Sequence, residues 1–206
     1  IHQRAHLGAA PIEQVLPALA ASAVPEAFRA KVYDGDRVED LSVMRQKIAD
    51  HMVWSRRISA HVHTVWDMDF SHVAKLRQQH KQAWQDHHGV KLTYTAFIIK
   101  ATLDALKAFP SMNASLNGQQ VIYHRHINLG LAVALDWGLI VPVLHEAEEL
   151  NLLGLARRAQ DLAERARSKK LKPEEVQAGT FTLTNPGVYG PLFGLPVINQ
   201  PQVGIL

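Results

Sequence analysis

The chain has 206 residues, 47% of them hydrophobic and 20% charged, enough for one domain with a substantial core plus an arm, in the composition range of an ordinary soluble globular protein. Its formal net charge of +3 permits anionic ligands such as nucleotide phosphates but is far from a nucleic-acid-binding balance. The absence of cysteine excludes disulfides, thiolate metal sites and covalent cysteine catalysis and fits a reducing compartment, and no apolar run approaches a membrane span.

Residues 1–30 are rich in Ala and Pro, with Pro11, Pro17 and Pro25 spaced through weakly helical sequence, the composition of a linker or N-terminal arm. Residues 31–206 form the expected domain. Residues 31–38 read as a short hairpin turning at Asp34-Gly35; the further ligands of a calcium loop are missing, so a turn is expected. Ser42 suits the N-cap of a helix reaching Arg57, with Val43, Ile48, Met52 and Val53 at roughly helical spacing. Residues 60–70 alternate as a strand, and Ser71 then caps a helix with Val73, Leu76 and Trp84 inward, ended by Gly89.

The run from Thr93 to Phe109 predicts an apolar helix, buried on most sides and stopped by Pro110. Asn117-Gly118 is the best hairpin signal, followed by strand residues Val121, Ile122 and Tyr123. Strands over 127–135 and 139–144, joined by an Asp136-Trp137-Gly138 turn, precede an amphipathic helix over 151–169. The basic residues Arg157, Arg158, Arg165, Arg167, Lys169, Lys170 and Lys172 read first as a solvated helix face, with a phosphate-binding rim as the sharper alternative. Gly179–Leu183 alternates as a strand and breaks at Asn185-Pro186-Gly187, which leaves the Thr184 hydroxyl free to point into a cleft. Long helices with several antiparallel-looking strands predict an α/β (α+β) domain, a sheet with helices on one side.

Five motifs in order carry a family resemblance: residues 41–49 with 59–62, Pro110–Ala114, Asn128–Ala134, Gly138–Val143, and above all Gly179–Gly190 with its Thr-x-Thr-Asn-Pro-Gly break. From about Val38 to Leu206 the chain resembles the catalytic domain of the dihydrolipoamide acyltransferases of 2-oxo acid dehydrogenase complexes. That resemblance implies a chloramphenicol acetyltransferase-like mixed sheet flanked by helices, trimers built into a large hollow core, and an active-site channel at the subunit interface. It implies transfer of an acyl group from dihydrolipoamide to coenzyme A, without a metal, in the cytoplasm or a mitochondrial matrix. The lipoyl group would be carried on a separate domain, and the expected partners are lipoyl domains and the decarboxylase and dihydrolipoamide dehydrogenase components. The acyl group is left open among acetyl, succinyl and branched-chain groups.

The resemblance places Thr184 at the oxyanion of the tetrahedral intermediate. Thr182 shares its strand face, so a register error would implicate it instead. The family's catalytic His-x-x-x-Asp-Gly motif lies downstream of Leu206, so these 206 residues are expected to lack their own general base and to belong to a longer chain. His63 and Asp67 spell His-x-x-x-Asp, but Met68 replaces the glycine and four strand positions span roughly 13 Å, too far for a direct bond. His61 with His63, and His124 with His126, share strand faces yet lack a third ligand. His87 and His88 read as an exposed helix end. No Gly-x-Ser-x-Gly elbow, phosphate loop or dinucleotide fingerprint occurs. The competing reading is a non-catalytic scaffold or binding module of the same fold.

Overall fold

A computed structural model describes residue 27 and residues 29–135 and 138–206; nearly all of the expected arm and the Asp136-Trp137 turn lie outside the described residues. The chain divides into two compact units, Ile1–Asp50 and His51–Leu206. In the first, the main chain turns at Asp34-Gly35, with Gly35 at φ +89° and the Asp36 carboxylate accepting the Tyr33 N–H at 2.7 Å. No strands flank this turn, so the expected hairpin is only its turn.

Helix α1 spans Val43–Ile58, with the Ser42 hydroxyl toward the Arg45 N–H as a cap predicts. Its expected apolar face is not its buried face. Val43, Ile48 and Val53 are exposed and Ser55 is the buried residue, because within the second unit this helix meets main-chain polar groups. Residues 60–70 run extended but form no ladder, with Val62 86% and Trp66 81% exposed. A strand needs a partner edge, and no described strand lies beside this segment.

Helix α2 (Ser71–His88) has Phe70 rather than Ser71 at its N-cap position, without a side-chain cap bond; Asp69 Oδ1 accepts the Ser71 N–H at 2.8 Å. Gly89 ends it in the left-handed region at φ +67°, where glycine has no Cβ penalty. Helix α3 (Tyr94–Ala108) starts at the Thr93 cap and stops before Pro110. It buries one stripe, Ala96, Ile99, Leu103 and Leu106, rather than most of its surface. Helix α4 (Leu152–Arg167) is capped by Asn151 Oδ1, which accepts the Gly154 N–H at 2.8 Å.

The strands are short. β1 (Ala114–Asn117) and β2 (Gln120–Tyr123) form the expected hairpin, with Gly118 at φ +58° in the turn. The two strands expected over 127–144 each split in two: β3 (Leu129–Leu131) pairs with β6 (Val143–Leu144), and β4 (Val133–Leu135) with β5 (Gly138–Ile140). The break falls at Ala132 opposite Val141, just past Leu131, whose N–H donates to the Pro142 carbonyl. Pro142 has no N–H to extend a ladder, and the Ala132 N–H turns away to the Leu183 carbonyl. β7 (Phe181–Leu183) joins β3 in parallel, so the sheet β6-β3-β7 is mixed, as the resemblance implies.

The core lies between this sheet and two helices. Ile99, Leu103 and Leu106 of α3 and Leu155 and Leu162 of α4 pack with Leu129, Leu131, Leu144, Phe181 and Leu183. Each such side chain contributes about 1.5–3 kcal/mol relative to exposure. β3 approaches β7 closely because residue 130 is glycine: a Cβ there would sit 2.8 Å from Val141 Cγ1 and 3.1 Å from Thr182 Oγ1. Gly130→Ala is therefore expected to cost about 1–3 kcal/mol of stability, measurable by chemical denaturation. No helix among the described residues is long and apolar enough to cross a membrane.

Beside the core, Arg165 forms a two-pronged ion pair with Glu175 (both contacts 2.6 Å) while also holding Asp161 at 2.7 Å. Arg165 is thereby committed, and Arg157, Arg158, Arg167 and Lys170 line a solvated face. The Arg165 guanidinium, helped by the Lys172 N–H, pulls the Glu175 carboxyl down from 4.5 to about 2. A depressed folded-state value adds stability that is complete above the ordinary carboxyl value and fades as pH falls toward 2. The stability difference between wild type and Glu175→Gln is expected to be constant above about pH 5 and to shrink from pH 4.5 to 2, followed by thermal melts across that range.

Candidate acyl-transfer site

β7 carries the two threonines of the sequence motif, and their surroundings differ. Thr182 is 1% exposed and its hydroxyl donates to Gln202 Oε1 at 2.6 Å. It belongs to a buried polar pair. Thr184, just past the strand end, is half-buried. Its N–H and its hydroxyl both donate to the main-chain oxygen of Leu206, at 2.5 and 2.8 Å. The expected free hydroxyl is thus parked on an acceptor in the resting state. That oxygen already holds the Thr184 N–H, so the hydroxyl can rotate toward another acceptor without leaving a main-chain group unpaired.

The turn after Thr184 is shaped by local contacts. Asn185 Oδ1 accepts the Gly187 N–H at 3.2 Å, Pro186 opens a 3₁₀ turn, and Gly190 closes it at φ +74°. The returning chain lies beside β7: Thr182 bridges Ile205 in parallel, and the Leu206 N–H donates to the Thr182 carbonyl at 2.9 Å. Gly204 permits this approach, since a Cβ there would stand 2.8 Å from Phe181 Cε2 and Met112 Cε.

Residues 198–200 are held by a ladder that hydrophobic spacing did not reveal. The His51 Nε2–H donates to the Gln200 carbonyl at 3.1 Å, the Ser55 hydroxyl to the Ile198 carbonyl at 2.5 Å, and the Gln200 amide to the Ser59 hydroxyl. His51, Ser55 and Ser59 lie four residues apart, so one face of α1 presents His51 and Ser55, and Ser59 follows just past the helix end. A polar stripe at that spacing was the available signal. His61 completes the ladder: its Nε2 accepts the Ile198 N–H at 3.0 Å, so its Nδ1 carries the proton given to the Ser59 carbonyl at 2.9 Å. Both ring nitrogens are engaged, and His61 is a structural histidine.

The other histidines are also dispersed. His63 stacks loosely on His61, ring centres 6.1 Å apart, and Asp67 is exposed. His124 Nε2 pairs with the Ser115 hydroxyl at 2.8 Å, and His126 Nδ1 with Glu148 at 3.0 Å. Burial favours protonation of Glu148, but its own and the Ile127 N–H groups together with His126 outweigh that and lower its value. His87 and His88 are exposed at the end of α2, as expected. No cluster of three His, Asp or Glu side chains able to hold a metal ion forms among the described residues.

The family model described as 2-oxoacid dehydrogenases acyltransferase (catalytic domain) matches residues 33–206. The chain belongs to this family. The chain is 36% identical over 193 residues to the dihydrolipoyllysine-residue succinyltransferase component of the 2-oxoglutarate dehydrogenase complex of Cupriavidus necator, covering 92% of this chain and 46% of that protein. It is 38% identical over 205 residues to the dihydrolipoyllysine-residue acetyltransferase component of the pyruvate dehydrogenase complex of Corynebacterium glutamicum, covering 96% of this chain and 30% of that protein. It thus spans about a third to a half of the length of these relatives. Among solved structures it matches the cubic core of a pyruvate dehydrogenase multienzyme complex with a TM-score of 0.79 and 32% identity, over 86% of this chain and 75% of that one. The mixed α/β architecture expected from the motifs is that of these acyltransferase catalytic cores.

Proposed function

We propose that this protein is the acyltransferase core component of a 2-oxo acid dehydrogenase complex and moves an acyl group from dihydrolipoamide to coenzyme A. The observation that carries the reading is the family match over residues 33–206. In the reaction the coenzyme A thiol loses its proton and attacks the thioester carbonyl, forming a carbon–sulfur bond and a tetrahedral oxyanion. Collapse expels the dihydrolipoamide sulfur, which takes up a proton. A base is needed at the first step and a hydrogen-bond donor at the oxyanion.

Thr184 is the donor. It stands at the end of a core strand, fixed by the 185–190 turn on one side and by Leu206 on the other, so turning its hydroxyl to a developing oxyanion needs little reorganisation. Residues 31–206 act as the catalytic domain and 1–30 as a linker or arm. Exposed apolar side chains on the β1–β2 hairpin, Leu116 and Tyr123 at 63% each, support burial of this face in an assembly. That assembly is a homotrimer built into a larger core, served by lipoyl domains and by the decarboxylase and dihydrolipoamide dehydrogenase components. The test is to supply the full-length protein with S-acetyl- and S-succinyl-dihydrolipoamide plus coenzyme A and to identify the products by mass spectrometry. Acyl-CoA from either donor supports the reading and names the acyl group; neither product excludes both of these groups.

A further inference from the structure

We propose that Gln202 is a positioning residue for Thr184: its buried amide sets the register in which Ile205-Leu206 lies beside β7, and so aims the Thr184 hydroxyl. The inference rests on the acyl-transfer reading above. Gln202 is 3% exposed, an unusual place for an amide side chain unless it is hydrogen-bonded. Its Oε1 accepts the Thr182 hydroxyl at 2.6 Å, and its Nε2 lies 3.0 Å from where a Cβ on Gly179 would be. The side chain therefore lies along the start of β7, in space that a larger residue at position 179 would fill. Its main chain bridges Ser115 at the same time. Gln202 is thus fixed to β7 through its side chain and to β1 through its backbone.

The consequence reaches Thr184 through four residues of chain. With Gln202 keyed to Thr182, Ile205 pairs with Thr182 and the Leu206 oxygen meets both donors of Thr184. Strand pairing has a side-chain period of two, so a slip by one residue would turn Gln202 out of the core and carry the Leu206 oxygen away from Thr184. Main-chain pairing alone fits more than one register; the buried amide distinguishes them. The Thr184 rotamer is then held by an acceptor whose place depends on Gln202.

The test is kinetic and uses the full-length protein. Gln202→Met keeps length and volume but removes the acceptor. It is expected to lower kcat by on the order of tenfold to a hundredfold, as small misplacements of a catalytic group do, with KM for coenzyme A nearly unchanged. Placed in a Thr184→Val background, the same substitution is expected to cause no further loss, because the hydroxyl it aims is gone. Should Gln202→Met not fold, Thr182→Val breaks the same hydrogen bond from the other side with the β-branched shape kept, and the same lack of additivity is expected. Equal slowing in both backgrounds, or a rise in KM alone, would overturn the positioning role while leaving the acyl-transfer reading intact. Near-normal turnover by Thr184→Val alone would remove the donor itself, and both would fall.

Discussion

Thr184→Val in the full-length protein is expected to lower kcat for acyl transfer by roughly two to three orders of magnitude, the usual loss for a missing oxyanion donor. Coenzyme A binding should change little, because the interaction forms mainly in the transition state. The hydroxyl of Thr184 rests on the Leu206 main-chain oxygen at 2.8 Å, and that oxygen keeps the Thr184 N–H when the hydroxyl is removed. Valine preserves the β-branched shape, so the strand end should hold. Thr182→Val supplies the contrast. Its hydroxyl is buried against Gln202, so its loss leaves an unpaired amide oxygen and costs about 1–3 kcal/mol of stability, with a smaller loss of turnover, on the order of tenfold, through the aim of Thr184. Steady-state kinetics and thermal melts of both variants separate the two roles. A Thr184→Val protein with normal kcat, or one impaired only in coenzyme A affinity, would move Thr184 from chemistry to packing or binding.

A polypeptide consisting of residues 1–206 is expected to show no acyl transfer above about 10⁻²–10⁻⁴ of a complete acyltransferase, the range a missing general base removes. The family's His-x-x-x-Asp-Gly motif does not occur in these residues. The hydrogen bonds of Thr184 go to Leu206 rather than to a histidine. His61, the first alternative, has its Nε2 occupied by the Ile198 N–H and its Nδ1 by the Ser59 carbonyl. Comparing this polypeptide with a complete acyltransferase in the same coenzyme A-dependent assay settles the matter. Turnover at the level of the complete enzyme would mean that a base within residues 1–206 acts at the site.

What the sequence reveals of the fold follows the range of the forces involved. Helices α3 and α4, their caps Thr93 and Asn151, the Gly89 stop and the hairpin at Gly118 depend on residues within a few positions, and they are legible. The extended segment 60–70 is not, because whether alternating residues become a strand depends on a partner elsewhere. The parallel pairing of β3 with β7 joins residues about fifty positions apart, and the split at Ala132 adjoins a Pro142 that only the fold places opposite Leu131. Helix α1 misleads for another reason: its inward face is polar, and His51 and Ser55 bind main-chain carbonyls instead of packing apolar side chains. At the site, the position of Thr184 comes from motif resemblance. Its acceptor Leu206 is 22 residues away, and a buried Gln202 runs against hydropathy, so both needed the three-dimensional structure.

Acyl transfer from one thiol to another is distinguished from hydrolysis by its products. Full-length protein is mixed with S-acyl-dihydrolipoamide, and acyl-CoA and free acid are quantified with and without coenzyme A. The expected result is acyl-CoA formed in proportion to dihydrolipoamide released, only when coenzyme A is present, with negligible free acid. Free acid formed at the same rate without coenzyme A would make the protein a thioester hydrolase, and no turnover of either kind would contradict the acyltransferase assignment.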